Sequence, residues 1–322
     1  MLPVPVPCGL AGAGDRIVTL FILKRIVLVV PVLLGVSIAA FMMSHLVPGD
    51  PVAVMLGEQA TREDYDNLRE QLGLNAPLWE QYLRYITNVL QGDLGTSIRS
   101  KQPVLTEILD RFPSTLTLAA SACIVAAIVG ITLGSLAAIS RRGVTDASIM
   151  TFALIGISMP TFWSGILLIL LFGLKLGWLP ITGSGWKALI LPTITLAAPA
   201  AAVLARMTRS SVLEVLGQDF VRTARAKGLS DRVLIVRHVL RNALVPIVTI
   251  VGIQFGALLG GAIIVESVFS RPGLGRYTIT AIEQRDFPQI QGIVLFTAAI
   301  YVFVNLAVDL LYGMIDPRIR YR

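Results

Sequence analysis

The segment Asp219–Pro246, DFVRTARAKGLSDRVLIVRHVLRNALVP, carries Arg222, Arg225, Lys227, Arg232, Arg237 and Arg241 around a central Gly228. It sits in a 322-residue chain of mean hydropathy +0.75, in which 55% of residues are apolar and 15% charged. An ordinary soluble domain is about 25% charged. Apolar runs flank the segment on both sides, and crossing a hydrocarbon core about 30 Å thick takes roughly 20 apolar residues in a helix. The chain therefore reads as an all-α polytopic membrane protein, with the basic segment as a loop between two spans.

Working outward, the apolar runs predict six transmembrane helices, at about 26–47, 114–139, 147–172, 188–204, 243–265 and 290–314. Ser114, after Pro113, is placed to cap the second. The domain plan is a mobile cytosolic tail (1–19), a first helix with a large following segment (20–113), a five-helix core with its loop at 205–242 (114–314), and a short cytosolic tail (315–322). The first run is longer than a signal-peptide core and has no clear small-residue cleavage site, so it reads as an uncleaved helix. Cys8 and Cys123 give no disulfide framework, and no apolar stretch precedes Cys8 as a lipoprotein site needs.

Lys and Arg collect on cytosolic loops. With both termini in the cytosol, the inner segments hold 16 of the 27 basic residues and 7 of the 20 acidic ones, including SRRG at 140–143 and RIRYR at 318–322. The positive charge thus reports topology and does not point to nucleic acid. The large outer segment, 48–113, is itself helical by pattern. Thr61 with Asp64 marks a helix start and Gly73 a stop. Then PLWEQYLRYITNVL puts Leu78, Trp79, Tyr82, Leu83, Ile86, Val89 and Leu90 on one face. That face suits the membrane surface, a partner, or the protein's own bundle.

Within the spans, Gly252, Gly256 and Gly260 recur every fourth residue, as do Gly130 and Gly134, a spacing that lets helices approach closely. Such contacts serve either static packing or a gate. Gln254, Glu266 and Asn305 join Gly256 and Gly260 as pathway or gate candidates, since intramembrane polar groups face the bundle interior or a watery cavity. The two histidines, His45 and His238, form no H-E-x-x-H, and no G-x-x-x-x-G-K followed by Ser or Thr occurs. Hydrolysis of ATP by this chain alone is excluded, and nothing marks a metal or catalytic site. An intramembrane enzyme would need a dyad in a watery cavity; a passive channel would carry flux without ATP.

In the opening segment, Asp219–Lys227 predicts a short helix with Asp219 at its positive end, Gly228 in the left-handed position that ends it, and Ser230 capping a second helix into the fifth span. The result is a blunt helix-turn-helix tip in the cytosol. Charge and pattern fit equally a docking tip or a loop binding anionic headgroups.

DFVRTARAKGL (219–229) with RHVLRNALVP (237–246) resembles the cytosolic loop of binding-protein-dependent ABC importer permeases. Matched on Gly228, the general Glu-Ala-Ala pattern falls on Arg222, Thr223 and Ala224, so its Glu and first Ala are absent and no role of that Glu is carried over. The departures resemble the dipeptide/oligopeptide/nickel subclass. LGVSIAAFMMSHLVPGDPV (34–52), LGLNAPLWEQY (72–82), GDLGTS (92–97), GISMPTFWSGILLILLF (156–172), LGWLPITG (176–183), ILPTITLA (190–197), VESVFSRPGLGR (265–276) and VNLAVDLLYGMIDPRIRY (304–321) extend the likeness to its B-type permease, from about Leu20 onward.

The resemblance implies a type I ABC importer permease fold in a bacterial inner membrane. It also implies a second, C-type permease, two cytosolic ABC ATPase subunits or domains that carry the ATP and Mg, and an extracytoplasmic binding protein. Arg222, Thr223, Ala224, Lys227, Gly228 and Leu229 would couple to the ATPase. Trp79, Tyr82, Phe269, Pro272 and Gly273 are candidates for meeting the binding protein. Dipeptides or short peptides are the expected cargo, with oligopeptides, nickel chelates or haem as the alternatives within the subclass.

Overall fold

The computed structural model describes residues 11–46, 52, 56, 61–71, 73–140, 143–183 and 185–315. The Pro/Gly-rich residues 1–10, most of 47–60, Arg141–Arg142 and the last seven residues lie outside them. The described residues are helical with no strand, apart from one isolated bridge between Thr96 and Pro103.

Helix α1 is Ala11–Leu46, so residues 11–19, expected as tail, continue the first helix. No proline interrupts the chain between Pro7 and Pro31, and Asp15–Leu23 is a run of acceptable helix formers. Two short helices follow, α2 (Arg62–Gln71) and α3 (Leu78–Leu90). At the start of α2 the Asp64 N–H donates to Thr61 Oγ1 and the Thr61 N–H to Asp64 Oδ2, at 3.2 and 3.1 Å, the reciprocal cap the spacing predicts. The Thr61 bonds hold the Asp64 carboxyl below its ordinary value. Tyr82 and Tyr85 of α3 pack on Phe41 of α1, with ring centroids 5.5 and 5.9 Å away, and the Tyr82 hydroxyl pairs with Ser37 Oγ at 2.8 Å. Burial pushes the Tyr85 phenol up to about 12. The apolar face of α3 therefore divides. Tyr82, Ile86 and Val89 are half-buried, while Leu78, Trp79, Leu83 and Leu90 stay exposed.

Helix α4 is Val104–Ile139, ten residues longer at its start than expected. Pro103 supplies the extended N-cap, and Pro113 is carried inside the helix with Ser114. The third expected span is not straight. It is α5 (Val144–Ser158) and α6 (Thr161–Leu168), the latter running on as a π-helical stretch to Lys175, with a bend of 104° between them. Pro160 has no N–H to give and drives Met159 out of the helical region, to φ −85° and ψ 123°. Among the described residues, five helices are long and apolar enough to cross a membrane, and the bent pair makes a sixth if taken as one span.

Helix α7 is Trp186–Leu216 and is the centre of the bundle: 61% of its apolar window is buried, against 17% for α1 and 11% for the last helix. Its closest neighbour is α4. A Cβ on Gly130 would stand 2.6 Å from Leu204 Cβ, and one on Gly134 would collide with the Ala205 carbonyl. These glycines serve fixed packing. The chain continues through α8 (Asp219–Ala226), α9 (Asp231–Val233), a π-helical stretch (Leu234–Val239), α10 (Leu240–Val268), α11 (Leu274–Glu283) and α12 (Phe287–Ile315). The main apolar core joins α4, α7 and α10, with smaller clusters at either end of the bundle.

Candidate functional sites at the two ends of the bundle

One end carries the basic tip. Helix α7 runs past its apolar stretch to Leu216, turns at Gly217–Gln218, and α8 begins at Asp219. Val221 is the one residue of α8 fully buried, and it packs with Ala138 of α4, Val212 and Val215 of α7, Leu234 and Val239, and Ala243 of α10. Burying a valine stabilises by about 1.5 kcal/mol or more. The tip is thus mounted on three long helices at once, and a push on it reaches all three.

The turn itself is a Schellman motif. The Gly228 N–H donates to the Arg225 carbonyl at 2.9 Å and the Leu229 N–H to the Ala224 carbonyl at 3.3 Å. Gly228 has φ +83° with open space where a Cβ would be, so backbone conformation alone demands glycine there. Ser230 holds the extended N-cap position of α9, although its hydroxyl makes no capping bond. Arg225 pairs across the turn with Asp231 at 3.4 Å, and Thr223 Oγ1 donates to the Asp219 carbonyl at 3.1 Å. Arg222, Thr223, Lys227 and Gly228 are exposed, and Ala224 and Leu229 half-buried. All six coupling candidates therefore lie on one tip.

The other end joins the 95–104 loop, α4, α11 and the start of α12. Glu266, at the end of α10, is fully buried; its Oε2 accepts the Gly275 N–H at 2.7 Å, while Thr115 Oγ1 accepts the Leu274 N–H at 2.8 Å. Two helices thereby satisfy the first N–H groups of α11. A Cβ on Gly273 would strike the Glu266 carboxylate, and one on Gly275 the backbone of Ile263. SRPGLG is thus a tightly locked corner. Phe269 is 2% exposed, in the main core beside Gly165, and Gly273 is buried, so neither is free to meet another protein; Pro272 and Trp79 are exposed, and Tyr82 is occupied by α1.

Of the pathway candidates, Gly256 and Asn305 come together. A Cβ on Gly256 would lie 3.1 Å from the Tyr301 ring and 3.6 Å from Asn305 Oδ1, so Gly252 and Gly256 pack α10 on α12. Gly260 points elsewhere, exposed with nothing within 4 Å, alongside Ile253, Ala257 and Ile264. Gln254 is half-buried. The sequence reading missed α11, Tyr85, and two ion pairs, Arg25 with Asp309 at 2.6 Å and Arg209 with Asp146 at 2.6 Å. Asp146 two residues after Val144 was the available signal, because a carboxylate at that boundary needs a partner.

The bundle thus presents a rigid basic tip at one end and a locked corner at the other. The chain belongs to the family of binding-protein-dependent transport system inner membrane components, whose model matches residues 130–321, and the corresponding N-terminal membrane component matches residues 18–119. It is 46% identical to the glutathione transport system permease protein GsiC of Escherichia coli O6:H1, and 47% to that of Salmonella paratyphi A. Each match runs over 303 residues, 94% of this chain and 99% of the relative.

Among solved structures, the MetNI methionine ABC transporter in inward-facing conformations matches with a TM-score of 0.55 at 17% identity, over 65% of this chain and 96% of that one. An amino acid ABC transporter with histidines matches at 0.50 and 19%, over 66% and 94%. These share the fold. The chain is thus a multi-pass inner membrane permease subunit of a binding-protein-dependent ABC importer. It works with a partner permease, an ATPase and a binding protein, and catalyses nothing itself.

Proposed function

We propose that this chain forms half of the translocation pathway for short peptides, with both termini in the cytosol and a C-type permease as the other half. The basic tip then docks on one of two ATPase subunits or domains, and the end that carries α11 faces the binding protein. The observation that carries this reading is the mounting of Val221 on α4, α7 and α10, which makes the tip a lever on the main core. The exposed face of α10, with Ala257 and Gly260, is smooth enough to line a conduit shared with the partner.

For cargo, the relatives named as glutathione permeases favour a small peptide, and glutathione, a tripeptide, is within the short-peptide class expected from the sequence. The test is uptake into proteoliposomes holding the full importer, ATP inside and loaded binding protein outside, of labelled glutathione beside a labelled dipeptide. ATP-dependent accumulation of either supports the reading and ranks the two. Accumulation of neither, with an active ATPase, overturns the peptide assignment.

A further inference from the structure

Resting on that orientation, we propose that the cavity between the 97–100 turn and α11 is a socket for a carboxylate, filled by an acidic side chain that the binding protein presents on docking. The cavity measures about 310 Å³ and is lined by Arg99, Arg111 and Arg276 with Glu107 as its acid.

Glu107 does not balance that charge. Its Oε2 accepts bonds from the Tyr277 hydroxyl at 2.6 Å, Gln289 Nε2 at 3.1 Å and Ser100 Oγ at 3.1 Å, and its Oε1 faces Arg111 Nη2 at 3.4 Å. Arg111 is further held by the Glu107 carbonyl and lies 4.1 Å over the Tyr277 ring. One acid is thus matched to one base. Arg99 and Arg276 are left at the exposed mouth. Arg276 uses Nη1 on the Ser270 carbonyl at 2.8 Å, and among the described residues the Arg99 guanidinium makes no hydrogen bond. Two guanidinium forks with unused donors match the planar geometry of a carboxylate.

The socket is rigid. Buried Asp286 accepts bonds from Ser97 Oγ at 2.7 Å and the Arg99 N–H at 3.1 Å, while its Oδ1 takes the Gln289 N–H that starts α12. The turn bearing Arg99 is therefore fixed to the frame that bears Gln289. The inner wall is also blind, being made of buried Tyr277 and Gln289 with nearly buried Glu107. A blind wall suits a side chain inserted from a docked protein better than cargo in transit. The other carboxylates close by, Asp286 and Glu266, are fully buried and taken up by hydroxyl and backbone N–H donors. The charge shown outward at the mouth is therefore that of the two guanidiniums, and charge complementarity points to an acidic partner surface.

The test uses the complete importer in proteoliposomes, titrated with loaded binding protein, with ATPase stimulation as the readout. Arg99→Glu and Arg276→Glu are each expected to raise the half-saturating concentration about tenfold and to flatten its dependence on salt. Arg99→Lys, which keeps the charge but loses the fork, is expected to fall between the parent and the reversal, at about a threefold rise. Unchanged half-saturation in both reversals overturns the socket. So does protection of these arginines from phenylglyoxal by free glycyl-glutamate without binding protein, which would make the cavity a cargo subsite. In a separate arm, Arg99→Cys is expected to react with a membrane-impermeant maleimide on intact spheroplasts. Reaction only after lysis overturns the orientation and the socket together, whereas reaction without an affinity change overturns the socket alone.

Discussion

Arg209 of α7 grips Asp146 of α5 through two parallel bonds, Nε to Oδ1 and Nη2 to Oδ2, both 2.6 Å. The pair ties the start of α5 to the part of α7 that carries the tip, ten residues before Asp219. Asp146 is 5% exposed, so removing either partner strands a charge in poor solvent. Asp146→Ala is expected to cost about 3 kcal/mol of stability, and Asp146→Leu with Arg209→Met less than the sum of the single changes. Thermal unfolding of the detergent-solubilised importer across the four proteins reads this directly. Additive losses would show that the pair is not coupled.

Gly228 separates backbone strain from crowding. Since nothing stands where its Cβ would be, a substitution there by any residue but proline costs only the left-handed conformation, about 1–2 kcal/mol for an ordinary residue and less for Asn. Proline cannot reach this φ at all and also loses the N–H bond to the Arg225 carbonyl. Gly228→Val or Gly228→Pro is expected to abolish coupled uptake while the protein still inserts in the membrane, and Gly228→Asn to keep most of it. Uptake assays beside membrane quantification check the order. Normal transport by the valine variant would remove the tip from the coupling path.

How much of this was legible follows from what each feature depends on. Helix existence was legible because apolar runs and turn residues are local; Gly228, Gly73 and the Thr61–Asp64 cap lie where the spacing puts them. A kink at Pro160 was legible, as it was at Pro31, Pro192 and Pro199. That Pro160 alone breaks its helix was not, because Pro31, Pro113, Pro192, Pro199 and Pro246 all sit inside helices here. The coupling candidates form one tip because they are contiguous. The outer candidates did not stay together, since Phe269 and Gly273 look like a loop in sequence and become core only when α11 folds back on α10. Long-range pairs such as Ser97 with Asp286 leave no trace in a local pattern.

At the α11 corner, geometry predicts opposite results for two neighbouring changes. Gly275→Ala drives a methyl into the Ile263 backbone, which cannot yield, and is expected to cost about 3 kcal/mol. Glu266→Gln keeps an oxygen to accept the Gly275 N–H but loses the charge that faces Arg271. It also buries an amide NH2 where Oε1 has no hydrogen-bond partner among the described residues, and is expected to cost about 1.5 kcal/mol. Melting temperatures of the two variants, in the same detergent, decide whether the corner is held by fit or by charge. Equal losses would contradict the steric account.

The cluster around Glu107 and Tyr277 also sets an alkaline limit. Burial and the Glu107 carboxylate push the Tyr277 phenol well above its ordinary value near 10. Above that ordinary value the unfolded chain gives up this proton while the folded protein keeps it, so stability falls as pH rises. The fall is about 1.4 kcal/mol per pH unit for one proton, beginning near pH 10. Tyr277→Phe removes that dependence together with the bond to Glu107. The variant is therefore expected to be less stable than the parent at neutral pH, and the gap to narrow through the alkaline range. Unfolding measured between pH 8 and about 11 follows the gap. A constant difference would mean that Tyr277 titrates alike folded and unfolded, and that the hydroxyl is not held by Glu107 as the 2.6 Å contact requires.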